Sequence, residues 1–169
     1  MNQTNPKNSR ILAVAPATGR VGFAVLEGND SLVSWGVKSI EGDMNPQSIK
    51  AIEKLITDYQ PEMLILEDAT AKGSRRCLRI RKLVPQIIML ANAHQMKVKL
   101  FSRHQLMKTF FPDGEGTKHA LAETLAQRFP DELESELPPK RKAWMAEDRR
   151  MDIFIAVALV LTFRLKQAR

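Results

Sequence analysis

The sequence predicts an α/β domain built on a mixed five-stranded sheet with helices on both faces. Three short apolar segments follow one another near the N-terminus with turn-like residues between them, which is typical of an antiparallel meander. Two further short apolar segments alternate with longer stretches of helical periodicity, which is typical of strands joined through helices. At 169 residues, 44% of them hydrophobic, the chain has the length and composition of one domain with its own core.

The predicted meander occupies the first part of the chain. Residues 10–16 (RILAVAP) form an apolar run that ends at a proline, and residues 21–26 (VGFAVL) and 31–40 are the next two predicted strands. Residues 17–20 and 27–30 contain the glycine, threonine, asparagine and aspartate that favour tight turns. Because short turns join antiparallel neighbours, the three strands are expected to pair in sequence order.

Helices and strands alternate in the middle of the chain. Apolar residues recur at helical spacing over 46–59, with Asn45 as the expected N-cap, and again over 74–93. The first of these helices leads to MLIL at 63–66, which is apolar throughout and therefore predicts a central strand, and the second leads to a short strand at 98–101. The right-handed crossover rule places the strand at 63–66 beside the first strand.

The last third of the chain is predicted to be mainly helical. Helices are expected at 103–110, 117–129 and 149–166, with a long irregular segment at 130–147. The longest apolar run, at 153–163, is shorter than the roughly 20 residues that a membrane span needs, so no membrane association is expected.

Residues 10–169 are expected to form this single domain, preceded by a flexible polar N-terminus at residues 1–9. The one cysteine, Cys77, excludes a disulfide within the chain and a metal site made of cysteines alone. It indicates a reducing compartment, and a cytoplasmic location is expected.

Positive charge is concentrated in one part of the sequence. The net charge is +7, yet residues 69–112 contain no acidic residue and ten basic ones. A solvated basic face is one interpretation, but a polyanionic partner explains the imbalance better because phosphate contacts release counterions. Nucleic acid is the leading candidate. The ten residues are Lys72, Arg75, Arg76, Arg79, Arg81, Lys82, Lys97, Lys99, Arg103 and Lys108.

Acidic residues are predicted to meet at one edge of the sheet. Ala15 and Glu67 lie at the ends of two neighbouring strands, and the start of the last helix brings Asp152 to the same place. Carboxylates that converge from separate elements can hold the divalent cations of two-metal phosphoryl transfer. A solvated acid at Glu67 and a helix N-terminal acid at Asp152 are the structural alternatives.

The order and spacing of four segments resemble the RuvC family of Holliday-junction resolvases, which has the RNase H-like fold. The segments are ILAVAPATGRVGFAVLEG, PEMLILED, HQLMKTFF with GTKHALAETLAQRFP, and MDIFIAVALVLTF. The resemblance covers most of residues 10–165. It implies a homodimer that cuts branched DNA with Mg²⁺ or Mn²⁺ in DNA recombination and repair.

The resemblance also assigns roles to individual residues. Glu67 takes the position of the catalytic glutamate, Asp152 that of the first aspartate of the last helix, and Lys118 that of a lysine assisting at the scissile phosphate. Lys108 matches a second basic position.

Two acidic positions of the family pattern are substituted. Ala15 stands where the first strand would end in aspartate, and Ile155 stands at the second helix aspartate. Because few carboxylates remain to bind a cation, metal-dependent cleavage is expected to be impaired. Asp68 and Asp148 are the candidate replacement ligands. The family's aromatic wedge after the glutamate also has no counterpart.

DNA binding does not require those carboxylates. Arginine is suited to phosphate because its forked donors contact two oxygens at once. Trp144, beside a basic run, suggests a flap that stacks on unpaired bases, with a solvated loop as the alternative. The candidate DNA-binding residues are Arg75, Arg76, Arg79, Arg81, Lys82, Lys108, Lys118, Lys140, Arg141 and Lys142.

For the implied homodimer, residues 87–90 are the candidate contact between the two copies.

Two other functions fit parts of the sequence. A non-catalytic protein that binds structured nucleic acid, or acts as a scaffold, would need only the basic face. An ATP-binding relative of the same general fold would also begin with a meander and a strand-end acid, but only one candidate phosphate-binding hairpin is visible.

Overall fold

The computed structural model describes residues 9–28 and 30–168, and within them the chain forms one five-stranded sheet in the order β3-β2-β1-β4-β5. The predicted N-terminal tail, apart from Ser9, lies outside the described residues. The strands are β1 (Arg10–Ala17), β2 (Arg20–Glu27), β3 (Ser31–Ser39), β4 (Met63–Glu67) and β5 (Lys97–Phe101). The helices are α1 (Met44–Tyr59), α2 (Leu78–Ala93), α3 (Arg103–Phe110), α4 (Lys118–Arg128), α5 (Pro130–Leu133), a 3₁₀ turn (Glu134–Glu136) and α6 (Met151–Gln167).

The predicted meander is confirmed. β1 pairs antiparallel with β2 from Arg10 opposite Glu27 to Ala17 opposite Arg20, and β2 pairs antiparallel with β3. The β1–β2 turn is tight because Gly19 adopts φ 72°, a left-handed conformation that residues with a Cβ atom disfavour.

The parallel half of the sheet also follows the prediction. β4 lies beside β1 with Val14 opposite Leu66, and β5 lies beside β4 with Glu67 opposite Phe101. Because all three strands run in the same direction, their carboxyl ends share one edge of the sheet. That edge carries the candidate site.

Helices cover both faces of the sheet, as the mixed five-stranded fold requires. Side chains alternate along β1, so Leu12 and Val14 pack with α1 and α2 while Ala13 and Ala15 pack on the side of α6. Successive side chains of a strand point to opposite faces of the sheet, so one apolar strand contributes to both cores.

The last helix, α6, lies between the sheet and the helices α3 and α4. Its residues 151–163 are all buried. A helix enclosed on every side needs apolar residues around its whole circumference, which explains why the apolar run in this helix lacks a polar stripe. Among the described residues, no helix is both long enough and apolar enough to cross a membrane.

Gly22 of β2 sets how closely α6 approaches the sheet. A Cβ at Gly22 would lie 2.5 Å from the Cβ of Asp152 and 2.7 Å from its carbonyl carbon. Gly22 pairs with Ala15 in the sheet, so two small residues form the surface on which the start of α6 rests.

Two predicted helix starts are wrong. α2 begins at Leu78 instead of residue 74, because the preceding backbone is extended at Cys77. α1 begins at Met44 with Asp43 at the N-cap position. Asn45 is not the cap, since its side chain bonds Arg79. The segment predicted to be irregular at 130–147 contains α5 and a 3₁₀ turn.

We expect Gly22→Ala to lower the free energy of unfolding by about 1–3 kcal/mol or more, because the added methyl meets helix backbone that must move. Urea denaturation measures the change. Gly36→Ala is the matched control, since its Cβ would meet only the ring edge of Phe23, at 3.1 Å. Equal stability of the Gly22→Ala variant and the wild type would show that α6 does not rest on this residue.

Candidate functional site

A small cavity of about 70 Å³ lies at the edge of the sheet where β1 and β4 end. Its lining includes Ala15, Glu67, Lys118, Asp152 and Ile155. The convergence of the strand ends with the start of α6 is therefore as predicted. All three residues that the resemblance assigns to chemistry line this cavity.

Glu67 is the last residue of β4, and its side chain is 11% exposed. Arg103 donates from Nε to its Oε1 at 2.5 Å, and the Nε of Arg76 lies 3.6 Å from its Oε2. Arg103 is held in place because it opens α3, whose N-terminus is closed by a capping box between Ser102 and Gln105. The carboxylate thus lies between two guanidinium groups.

Asp152 is paired in the same way. Its side chain is 10% exposed and accepts a hydrogen bond from Nε of Arg20, the first residue of β2. Burial raises the pKa of the Asp152 carboxyl above its ordinary value, and the nearby Glu147 acts in the same direction. The hydrogen bond and the charge of Arg20 act against this rise but do not cancel it.

Lys118 reaches the cavity from the first turn of α4, where Thr117 caps the helix by accepting from the backbone of Ala120. Its Nζ lies 3.0 Å from both carboxylate oxygens of Glu147. Glu147 had no sequence signal as a site residue, because it belongs to the irregular segment before α6.

Two of the candidate DNA-binding arginines point into the protein. Arg76 donates to the carbonyl of Pro16 as well as approaching Glu67, and Arg79 donates to the carbonyl of Ala17 at 3.2 Å and to Asn45 at 3.0 Å. Arg76 precedes α2, so its side chain is free to turn toward the end of β1. Both guanidinium groups fasten α2 to the edge of the sheet.

The two candidate replacement ligands do not line the cavity. Asp68 accepts from the backbone nitrogen of Thr70 at 3.0 Å and from its hydroxyl at 2.7 Å, which closes a local turn. Asp148 forms a forked pair with Arg150 at 3.0 and 2.8 Å, and this hydrogen bonding lowers the pKa of Asp148. Each carboxylate is occupied by its own neighbour.

The residues of the cavity do not fit a pair of divalent cations. Ala15 and Ile155 place apolar groups where additional oxygen ligands would be required. Glu67 and Asp152 already have guanidinium partners. Within residues 9–28 and 30–168, no group of three or more His, Cys, Asp or Glu side chains is arranged to hold a metal ion.

We call this cluster the arginine–carboxylate centre. It consists of Glu67, Glu147, Asp152, Arg20, Arg76, Arg103 and Lys118.

A larger basic groove opens beside the centre. Lys72 and Arg75 are exposed in it, and Glu67 and Asp68 are the acidic residues that it shares with the edge of the sheet. We call this surface the basic groove, and His104 also lines it. Its cationic side chains are Lys72, Arg75, Arg76, Arg103 and Lys118.

The other predicted DNA-binding residues lie outside the lining of the groove. Arg81 and Lys82 are exposed on α2, and Lys108 is exposed on α3. The predicted basic run at 140–142 is also exposed. At the candidate dimer contact, Ile87 is buried, whereas Met89 is 71% exposed.

Comparison with known proteins agrees with this architecture. No protein-family model and no curated protein sequence matches the chain. RuvC of Thermus thermophilus matches over 93% of this chain and 96% of its own, at 12% identity and a TM-score of 0.61. The chain has a RuvC-like fold.

Two structures solved with DNA show the same similarity. T. thermophilus RuvC in complex with Holliday-junction substrate matches over 95% of both chains, at 11% identity and a TM-score of 0.66. The fowlpox virus resolvase with its substrate Holliday-junction DNA matches over 95% of this chain and 99% of its own, at 16% identity and a TM-score of 0.58. The predicted RNase H-like arrangement of this RuvC-like chain is thus confirmed.

Glu67→Gln is expected to lower the free energy of unfolding by about 1–3 kcal/mol, because two partly buried guanidinium groups would lose their charged partner. Asp58→Asn is the control, since it removes one exposed pair with Lys54 and should change stability by less than about 1 kcal/mol. Urea unfolding measures both. A more stable Glu67→Gln variant would reveal repulsion among carboxylates and contradict the pairing.

Asp152 should make stability depend on pH. Since the folded state raises its pKa, its contribution to stability is fully present below the unfolded pKa of about 3.9 and is lost as pH rises through the folded value. Asp152→Asn should remove this contribution, so the stability difference between wild type and variant should fall with rising pH. Urea unfolding at a series of pH values tests this, and a difference that rises with pH would contradict it.

Proposed function

We propose that this chain binds branched DNA of the four-way-junction class through the basic groove and that its metal-dependent cleavage is impaired. The observation that carries the proposal is the position of the groove. It opens at the carboxyl edge of a RuvC-like sheet, directly beside Glu67. Two structures with this fold, from T. thermophilus and fowlpox virus, are described as complexes with Holliday junctions.

The charges of the groove support a DNA ligand. Lys72 and Arg75 project into solvent, and Arg103 keeps donors beyond the one that it gives to Glu67. Arginine forks match phosphate oxygens, and cations on one surface release counterions when the backbone binds. Affinity is therefore expected to fall steeply with salt.

Impaired cleavage follows from the donor set of the arginine–carboxylate centre. A cation would have to displace Arg20 from Asp152 or the arginines from Glu67 before it gained a carboxylate ligand. Ala15 and Ile155 offer no oxygen in exchange. The proposal therefore separates DNA binding from hydrolysis.

A homodimer is part of the proposal, because a junction with two equivalent faces is matched by two copies of one chain. Met89 supports a contact at α2, since it is a large apolar side chain exposed on the helix surface. Ile87, which belongs to the same predicted contact, packs in the core and does not contribute.

Removing a groove cation should weaken binding to the junction. Arg75→Gln and Lys72→Gln are each expected to lower affinity about tenfold and to reduce the slope of log affinity against log salt by about 1. A gel shift with a four-way junction and with duplex DNA over a series of salt concentrations measures both quantities.

Arg128→Gln is the matched control for these variants. Arg128 lies 3.6 Å from Asp30, beside the turn between β2 and β3 and therefore at the opposite edge of the sheet. Its replacement should leave affinity unchanged. Equal loss in all three variants would mean that the groove does not bind the DNA, and equal affinity for junction and duplex would contradict the preference for branches.

The cleavage test uses the same junction with Mn²⁺ or Mg²⁺. The wild type is expected to bind the junction but to leave it largely uncut. Ala15→Asp combined with Ile155→Asp supplies the two missing carboxylates and is expected to raise cleavage above the wild-type level. Efficient cutting by the wild type that is lost in Glu67→Gln would contradict the proposed impairment.

A further inference from the structure

One large aromatic side chain among the described residues is highly exposed. Trp144 is 80% exposed in the irregular segment that leads to α6. The other tryptophan, Trp35, is partly buried against the core around α6. An exposed indole offers a flat apolar face and a polar edge to a planar ligand.

The surroundings of Trp144 are cationic. The Nζ of Lys142 lies 5.3 Å from the centre of the indole ring, within the range of a cation–π contact. Residues 138–146 contain three basic residues and no acidic one. Lys142 also accepts, through its carbonyl, the backbone N–H of Met145 at 3.0 Å, so a turn holds the lysine and the ring close together.

The ring lies within reach of the arginine–carboxylate centre. Glu147 follows Trp144 by three residues and is fixed by its pair with Lys118. Three residues span at most about 11 Å, so the indole is tethered near the basic groove. Ala146 and Glu147 also line a surface hollow together with Arg75 and Arg76, so the segment that carries Trp144 borders cations of the basic groove.

We propose that Trp144 is a stacking platform for an unpaired DNA base, with Lys142 on one face of the ring and the base on the other. This inference rests on the proposed function, because it assumes that the groove holds the DNA backbone. A ring stacks on any base, whereas the nearby cations favour the phosphates that flank it. Fully paired DNA offers no free base face except at its ends, so the platform selects branched or single-stranded DNA.

The experiment follows the fluorescence of Trp144 alone. In Trp35→Phe, the remaining indole is the exposed one, and circular dichroism and thermal unfolding establish that this variant folds. The probes are oligothymidine, a four-way junction and a relaxed, covalently closed circular duplex, which has neither free ends nor unpaired bases. Oligothymidine and the junction should quench the emission, and the closed duplex should leave it nearly unchanged.

Affinity provides a second measurement in the full chain with Trp35 retained. Trp144→Leu should lower affinity for oligothymidine about 5- to 150-fold while affinity for the closed duplex stays unchanged. Trp144→Phe should recover part of the loss, because its ring still stacks. Lys142→Gln is the charge control, and it should weaken all three DNAs.

The outcomes separate this inference from the proposed function. Quenching by oligothymidine without preference for the junction would support the platform and overturn the junction proposal. Junction binding with an unquenched indole, or equal losses for oligothymidine and closed duplex in Trp144→Leu, would overturn the platform. A response to vesicles of anionic phospholipid in place of oligothymidine would also overturn it, in favour of a membrane surface.

Discussion

Two carboxylates with little exposure meet at one edge of the sheet, and their charge has to be balanced there. Glu67 and Asp152 cannot both stay ionised in such a place without nearby positive groups, because removing a charge from water costs several kcal/mol. A divalent ion would be a removable source of that charge. Here the charge belongs to arginine side chains, and Arg76 simultaneously holds the carbonyl of Pro16. The same arginine contacts therefore balance the carboxylate charge and hold the strand ends in place.

The basic residues of the chain divide into two groups with different environments. Arg76 and Arg79 donate to backbone carbonyls and fasten α2 to the sheet, whereas Lys72 and Arg75 remain in solvent along the groove. Net charge and clustering along the sequence do not distinguish these groups, since all four lie within one stretch of eight residues. What separates them is contact with the end of β1, where Arg76 and Arg79 reach the carbonyls of Pro16 and Ala17.

Much of the fold could be predicted from short-range patterns. The apolar run at β4 and the turn at Gly19 depend on a few neighbouring residues, and strand order then follows from connection rules. The start of α2 could not, because helical periodicity continues backward through residues whose conformation is decided by contact with the sheet.

The candidate site shows the same division. Glu67 could be placed because it ends an apolar strand, and Asp152 because it lies at the start of an apolar helix. The residues that pair with these carboxylates could not be predicted. Arg20 is 132 residues away from Asp152 in the sequence, and Glu147 lies in a segment without periodicity. Gly22 gave no signal either, since its importance depends on how closely α6 approaches.

The enclosed position of α6 has a consequence for how the chain acquires its structure. This helix follows every other described element in the sequence, yet it fills the middle of one core, against β1 and β2. Until it docks, the face of the sheet that carries Ala13 and Ala15 has no cover and presents apolar surface to the solvent. That face can be covered only after α6 has been synthesised, and apolar surface of this kind favours aggregation of a nascent protein until then.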